Sequence, residues 1–274
     1  MGIPNDSKIG KQMSSLGTIF ITGSNRGIGL EFVKQYSLDN WDVIATCRDI
    51  SQAKELIELS EHNNNLSLMD LDITKKESVE EVANKLNGKP IDILINNAAY
   101  LGPPEPQKFG QIDYSMFTES FEVNAIGPIR ITEKLINNVR ESDMKKIIFL
   151  GSGAGSIAQI TPPVTLYSYR ASKAALHLAV NNLYHELQSE NIIVSLINPG
   201  MVDTRGFLDL KLGDPIPEHL TKMVPITLIK MIQEGKIPMI TSLESVQNMM
   251  EYIDQLSIDT KPLFVNCDGT PMPW

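Results

Sequence analysis

The chain has 274 residues and a formal net charge of −9, with 24 lysines and arginines against 33 aspartates and glutamates. An acidic total of this kind offers no electrostatic footprint for a phosphate backbone, which argues against a nucleic-acid-binding protein. Hydrophobic residues make up 42% of the chain, and α/β folds of about 250 residues commonly form one domain. The composition therefore predicts a single globular domain with a sizeable core.

Signals for export and for membrane insertion are missing from the sequence. Residues 1–16 lack the apolar stretch of a signal peptide, and no run of about 18 apolar residues could span a bilayer. Cys47 and Cys267 are too few for a disulfide framework, so a reducing compartment is the simpler interpretation, although a single bridge stays open. We expect a cytoplasmic protein with no membrane partner and a disordered polar tail over 1–16.

Short β-branched runs alternate with longer segments of helical period, an order typical of parallel strands joined by crossover helices. The predicted strands are Thr18–Thr22, Asp42–Thr46, Leu66–Met69, Ile91–Ile95, Lys146–Leu150, Ile192–Ile197 and Leu263–Asn266. Because these runs are almost continuously apolar, helices should cover both faces of the sheet. The pattern predicts an α/β protein with a doubly wound, seven-stranded parallel sheet.

Capping signals delimit the helices between these strands. Thr74, with Glu77 three residues later, forms a potential capping box for a helix that ends before Gly88. The other predicted helices span 115–141 with a bend at Gly127-Pro128, 168–189, and 243–256.

Residues 206–241 break this alternation with four prolines and scattered Leu, Ile and Met side chains. Connections longer than about 15 residues are usually functional or disordered, and the apolar content argues against disorder. Two interpretations stay open, a small packed subdomain or a lid over a substrate pocket, and we favour the lid. Because acidic and basic residues nearly balance in this segment, a lid here predicts mostly apolar recognition.

A glycine-rich turn, residues 23–29, follows the first predicted strand and opens a helix. The unpaired N–H groups and positive dipole end of a helix N-terminus attract anions, and glycines let a pyrophosphate approach the backbone closely. Dinucleotide-binding folds place their phosphates at this position.

The end of the second strand indicates which nicotinamide cofactor is preferred. NAD sites usually have an acid there, whereas this strand ends in Cys47-Arg48, and Arg26 adds a second cation within the glycine turn. Guanidinium groups can donate paired hydrogen bonds to a 2′-phosphate. The two arginines favour NADPH, with Asp49 opposing them slightly, and the alternative is that both are solvated surface residues.

A serine, a tyrosine and a lysine are candidates for the chemistry. Tyr169 and Lys173 are one helical turn apart, which places both side chains on one helix face, whereas Tyr167 lies off that face. Ser152 follows the fifth strand, at the edge where open α/β folds bind ligands. Hydride addition to a carbonyl creates alkoxide charge, which needs hydrogen-bond donors and then a proton. A tyrosine with a pKa near 10 is protonated at pH 7, which favours reduction.

Together with Asn96-Asn97-Ala98-Ala99 and Asn198-Pro199-Gly200, these motifs resemble in order and spacing the classical short-chain dehydrogenase/reductase family. The resemblance covers residues 17–205 and implies one Rossmann-fold domain over 17–274. The segment 264–274 resembles the carbonyl-reductase branch, which includes sniffer-type and C-factor-like proteins. The implied activity is NADPH-dependent reduction of the carbonyl of a small, largely apolar molecule.

The resemblance also implies roles for individual residues. Tyr169 matches the catalytic acid or base, Lys173 its electrostatic partner and ribose ligand, and Ser152 the hydroxyl that holds the carbonyl. Asn124 matches an asparagine that supports a water-mediated proton relay. The implied cofactor-binding positions are Gly23, Ser24, Asn25, Arg26, Gly27, Ile28, Gly29, Arg48, Asp72, Ile73, Asn97, Ala98, Ala99, Tyr169, Lys173, Pro199, Gly200, Val202 and Thr204.

Several points differ from the family pattern or stay open. Ala99 replaces a glycine, Ser156 is a rival to Ser152, and 206–241 is longer than in sniffer-type members. Alternative functions are reduction of an activated C=C or C=N bond and NADPH-dependent signalling without turnover. The histidines lack metal-ligand spacing, so no metal site is predicted. Family members often pair through the two long helices after strands four and five, which suggests a homodimer or homotetramer.

Overall fold

The structure is a computed structural model that describes residues 15–160, 165–222, 224 and 226–274. Of the predicted disordered tail, residues 1–14 lie outside the described part of the chain. Among the described helices, none combines the length and apolar character that a membrane crossing requires.

Seven described strands form one sheet in which every neighbouring pair is parallel. These strands are β1 (Thr18–Thr22), β2 (Asp42–Cys47), β3 (Leu66–Asp70), β4 (Ile93–Asn96), β5 (Lys146–Leu150), β6 (Ile193–Asn198) and, after two short strands given below, β9 (Phe264–Asn266). Their spatial order is β3-β2-β1-β4-β5-β6-β9. From β1, the strands β2 and β3 are added toward one edge of the sheet, and the strands from β4 onward are added toward the other edge. The order of the strands therefore reverses between β1 and β4. All seven predicted strands are confirmed, with no bound shifted by more than two residues.

Helices cover both faces of this sheet, as the apolar strands require. The helices are α1 (Gly27–Leu38), α2 (Lys54–His62), α3 (Lys76–Lys85), α4 (Tyr114–Phe121), α5 (Gly127–Arg140), α6 (Tyr167–Leu187), α7 (Glu218–Thr221), α8 (Ile226–Gln233) and α9 (Ser242–Gln255). Ile19 and Ile21 of β1 pack with α1 and α9, whereas Phe20 faces the opposite core beneath α3, α5 and α6. The predicted doubly wound α/β fold is confirmed.

Two of the helix predictions need correction. The capping box at Thr74 is wrong, because the Thr74 hydroxyl donates to Asp72 Oδ1 over 2.6 Å and α3 begins after Lys75 without a side-chain cap. The long helix predicted over 115–141 is interrupted by a π-helical segment, Glu122–Ile126, immediately before Gly127-Pro128. Because Pro128 has no backbone N–H, it cannot donate a regular helical hydrogen bond. The wider π-helical turn before it accommodates this missing bond.

The segment 206–241 contains α7, α8 and a small hydrophobic core of its own. Phe207, Leu220 and Ile229 are buried together there, apart from the two cores of the sheet. A short parallel pair, β7 (Val202–Asp203) with β8 (Ile240–Thr241), joins the two ends of the segment. The described part of the segment is therefore packed, and its function as a substrate lid stays a prediction.

Candidate active site

A cleft of about 1390 Å³ runs along the carboxyl edge of the sheet. Residues that directly follow six of the parallel strands line it: Gly23, Arg48, Leu71, Asn97, Gly151 and Pro199. This placement follows from the topology, because the carboxyl ends of parallel strands meet at one edge and ligands bind outside that edge. The cleft therefore brings together the glycine turn and the predicted catalytic helix.

The glycine turn is packed too closely for larger side chains. A methyl group on Gly29 would collide with the Gly23 carbonyl and with Asn97 Nδ2. That same Asn97 nitrogen donates to the carbonyls of Thr22, at 2.8 Å, and Gly23, at 2.9 Å. These contacts fasten the turn after β1 to the loop after β4. Because Arg26 at the N-cap of α1 supplies no side-chain acceptor, the first amides of α1 suit an anionic ligand.

Three arginines line the cleft near this turn: Arg26, Arg48 and Arg205. Burial and the nearby charge of Arg26 lower the pKa of Arg205. Thr204 lies against the turn, since a methyl group on Gly27 would be 3.1 Å from Thr204 Cγ2. Arg205 is not among the predicted site residues; its position directly after Thr204, in a predicted cofactor-facing segment, was the signal in the sequence.

Asp203 determines the backbone shape of the loop that bears Arg205. Its Oδ1 accepts from the amides of Arg205 and Gly206, each at 2.8 Å, and its Oδ2 accepts from the Leu208 amide at 2.8 Å. Burial raises the pKa of this carboxyl, but these backbone hydrogen bonds outweigh burial and hold it below its usual value. The carboxylate therefore keeps the loop folded at neutral pH.

Tyr169 and Lys173 occupy successive turns of α6, and both line the cleft. Lys173 Nζ is buried and donates to the Leu150 carbonyl over 2.8 Å, and burial lowers its pKa to about 8. Burial raises the pKa of Tyr169, and the neighbouring Ser152 hydroxyl offsets part of that rise. Tyr167 is exposed, with its ring 6.4 Å from that of Phe109, and does not line the cleft.

The two candidate serines differ in their partners. Ser152 Oγ accepts from the Ala154 amide at 3.1 Å and lies close enough to Tyr169 to lower the pKa of the phenol. Ser156 Oγ is buried and donates to the Pro273 carbonyl over 2.7 Å, so it fastens the chain end to the loop. The geometry therefore favours Ser152 over Ser156 as the partner of Tyr169.

Asn124 is buried within the π segment, and its carboxamide is occupied by the protein. Its Nδ2 donates to the Tyr100 carbonyl at 2.8 Å and to Ser172 Oγ at 2.9 Å, and its Oδ1 accepts from the Tyr100 amide at 2.7 Å. π segments occur frequently at functional sites. The side chain ties the loop after β4 to α6, and its participation in a proton relay stays a prediction.

Most predicted cofactor-binding residues line the cleft, including Asn25, Ile28, Asp72, Ile73, Ala98 and Ala99. Burial raises the pKa of Asp72, but hydrogen bonds from Thr74 and the charge of Lys75 lower it below its usual value. The predicted site residues that do not border this cleft in the described chain are Ser24, Asn124, Ser152, Gly200 and Val202. Ser24 is buried, and its hydroxyl donates to the Ile21 carbonyl at 2.9 Å.

Comparison with known proteins identifies the family. The model of the short chain dehydrogenase family matches residues 17–211. The chain belongs to this family. A relative with 29% identity over 269 residues, 96% of this chain and 100% of its own, is an uncharacterized oxidoreductase of Schizosaccharomyces pombe.

Solved structures of the family have the same fold. NADPH-bound carbonyl reductase from chicken fatty liver superposes with a TM-score of 0.76 at 26% identity, covering 96% of this chain and 100% of that one. Carbonyl reductase Sniffer of Drosophila melanogaster has a TM-score of 0.75 at 24% identity, covering 94% and 99%, and supports the fold alone. The short-chain dehydrogenase is thus an oxidoreductase with the architecture of carbonyl reductases.

Proposed function

We propose that this short-chain dehydrogenase reduces the carbonyl group of a small, largely apolar molecule with NADPH. The observation that carries the proposal is the position of Tyr169 and Lys173 on α6. Both side chains border the cleft that also contains the glycine turn, and the Ser152 hydroxyl neighbours Tyr169 closely enough to lower its pKa. One cleft, large enough for a dinucleotide, is therefore lined by a proton donor and a cation.

The cleft fits a nicotinamide dinucleotide phosphate. The crowded glycine turn at the N-terminus of α1 suits the pyrophosphate, since no side chain other than hydrogen fits at Gly29. Arg26 and Arg48 would hold the 2′-phosphate, and Asp72 with Ile73 would contact the adenine side. When bound, this cofactor supplies the hydride. The NADPH bound to the similar chicken carbonyl reductase supports the choice of cofactor.

The proposed proton transfer depends on three side chains of the chain itself. The hydroxyls of Ser152 and Tyr169 hold the substrate oxygen, and Tyr169 gives that oxygen its proton as negative charge develops. Because burial raises the pKa of Tyr169, the phenol is protonated at neutral pH and ready to act as an acid. Lys173, with a pKa of about 8, stays largely protonated at pH 7 and stabilises the phenolate that remains.

The walls of the cleft beyond the catalytic residues support an apolar substrate. Leu101, Pro103 and Val123 line this region. Lys222, from the segment 206–241, also reaches the cleft, but its ammonium is 2.8 Å from Glu218 Oε1. A cation paired in this way offers no strong clamp for an anionic substrate. We propose that 206–241 covers the substrate as a lid.

NADPH oxidation by the purified protein against a panel of aldehydes, ketones and quinones tests this function. Activated alkenes and imines in the same panel represent the alternative bonds. Turnover of carbonyls that is lost in Tyr169→Phe supports the proposal. Turnover confined to alkenes or imines contradicts it, and NADPH binding without turnover of any compound favours the signalling alternative.

Light scattering on the purified protein tests the remaining prediction about partners, a homodimer or homotetramer. A monomeric mass at the concentrations used for turnover would contradict it.

A further inference from the structure

Gln107 lies between β4 and α4, and its side chain is buried in the protein with only 1% of its surface exposed. Its Oε1 accepts from Ser168 Oγ at 2.6 Å and from the Tyr169 amide at 3.1 Å. Its Nε2 donates to the Leu101 carbonyl at 2.7 Å and to the Pro103 carbonyl at 3.0 Å. The carboxamide therefore makes four hydrogen bonds, two to α6 and two to a loop.

The two bonds to α6 meet a need of that helix. The first amides of any helix have no partner within the helix, and a side chain at the N-cap usually satisfies one of them. In α6 the N-cap is Leu166, which has a left-handed backbone, φ 65°, and supplies no side-chain acceptor. Gln107 caps the helix instead, from 62 residues earlier in the chain. The capped amide belongs to Tyr169, the proposed proton donor.

The two bonds to the loop reach the other wall of the cleft. Leu101, Gly102 and Pro103 all line it. The loop turns at Gly102, where φ is 69° and where a methyl group would lie 3.3 Å from Gln107 Nε2 and collide with Met116. The loop carbonyls therefore face a closely packed carboxamide. One buried side chain joins the backbone of the proton donor to the wall that would contact the substrate.

We infer that Gln107 is a positioning residue, which holds Tyr169 and the 101–103 wall in register for the reaction. The inference rests on the proposed function, because it assigns to Gln107 the alignment of Tyr169 with the substrate. It also makes a physical claim about coupled motion that does not depend on turnover. Loss of the carboxamide should loosen the start of α6 and the 101–103 loop together.

Two substitutions separate the hydrogen bonds that Gln107 makes with α6 from those that it makes with the 101–103 loop. Gln107→Met keeps the length of the side chain and removes all four hydrogen bonds. Gln107→Glu keeps an acceptor for Ser168 and Tyr169 but removes the two N–H donors to the loop. The matched control is Asn138→Leu, because Asn138 is also a buried amide that donates to two loop carbonyls, Leu86 at 2.6 Å and Lys89 at 2.8 Å, on α5 and outside the cleft.

Amide hydrogen exchange on the full chain is the first measurement. Gln107→Met should speed exchange at both 100–102, where the Tyr100 amide is hydrogen-bonded to Asn124 Oδ1, and 167–170, Gln107→Glu at 100–102 alone, and Asn138→Leu at neither. Unchanged exchange at either segment in Gln107→Met overturns the inference, even if the protein reduces no carbonyl. A wild-type protein without carbonyl turnover contradicts the proposed function instead, so the two failures are distinguishable.

Kinetics with the best carbonyl substrate are the second measurement. Gln107→Met should lower kcat about tenfold or more and raise the deuterium isotope effect from NADPH labelled at the transferred position, because a misplaced proton donor slows chemistry. Gln107→Glu should raise KM by a larger factor than it lowers kcat. Asn138→Leu should lower Tm while kcat and the isotope effect stay at wild-type values. A Gln107→Met enzyme that matches Asn138→Leu in kcat and isotope effect overturns the positioning role.

Discussion

The backbone amide of Ser152 donates a hydrogen bond to Nε2 of His177, with 3.3 Å between the two nitrogens. An imidazole nitrogen that accepts a hydrogen bond carries no proton, so His177 is neutral and its proton is on Nδ1. Its ring is buried 4.6 Å from that of Phe264. Burial, together with the charge of Lys173, lowers the pKa of His177 to about 3. A neutral histidine thus lies beneath the loop that bears Ser152.

This arrangement predicts a pH dependence of stability. In the unfolded chain, histidine gains a proton below about pH 6.5, whereas in the folded protein His177 stays neutral down to a pKa of about 3. The unfolded state binds more protons within this window, so acidification should lower the free energy of unfolding, by up to about 1.4 kcal/mol per pH unit from this residue. Denaturant unfolding of wild type and His177→Asn between about pH 6.5 and pH 4 measures the difference.

His185→Asn is the control for that experiment. His185 is exposed on the same helix, so its substitution removes a histidine without removing a buried one. The wild type and this control should lose stability with acid at equal rates, and His177→Asn should lose it more slowly. Equal slopes in all three proteins would contradict the lowered pKa, because His177 would then bind a proton as readily in the folded state as in the unfolded state.

Tyr169→Phe should lower carbonyl reduction by about 10²–10⁴-fold, because general acid catalysis contributes about that much. NADPH affinity should change little, since the glycine turn and the arginines proposed to hold the cofactor's phosphates are unaltered. Tyr167→Phe, two residues earlier on α6 and exposed, should have wild-type kcat. Steady-state kinetics and NADPH fluorescence titration measure both quantities. More than a few percent of wild-type activity in Tyr169→Phe would contradict the proposed proton transfer.

Arg48→Ala should weaken NADPH binding by about tenfold or more while leaving NADH binding nearly unchanged, because a charge-assisted hydrogen bond to the 2′-phosphate is lost. Lys85→Ala removes an exposed cation remote from the cleft, in an ion pair with Glu81, and should affect neither cofactor. Fluorescence titration with both cofactors at one ionic strength gives the comparison. An equal loss of NADPH and NADH affinity would contradict the proposal that Arg48 binds the 2′-phosphate.

The segment 206–241 should become more resistant to limited proteolysis when NADPH and a substrate alcohol or ketone are bound. Lys222 of this segment lines the cleft, as does Arg205 just before it, and the separate core of Phe207, Leu220 and Ile229 would let the segment move as a unit. The control is cleavage elsewhere in the protein, which ligands should leave unchanged. Equal cleavage of 206–241 with and without ligands would contradict a lid.

The features that the sequence alone determined are those with local signatures. Most strands appear as apolar runs, because helices cover both faces of a parallel sheet and bury its side chains. The sequence likewise predicts the glycine turn Gly23–Gly29 and the Tyr169–Lys173 pair, since their geometry depends on residues only a few positions apart. The predicted strands are confirmed, and Tyr169, Lys173 and most of the glycine turn line one cleft.

Tertiary structure decided the contacts whose partners are distant in sequence. No local pattern marks Gln107 as the cap of α6, or His177 as the acceptor for Ser152, because each needs a partner brought in by the fold. The capping box at Thr74 failed for a related reason: Asp72 competes for the same hydroxyl. Helix caps and buried polar groups take whichever partner lies closest in space, and packing chooses that partner.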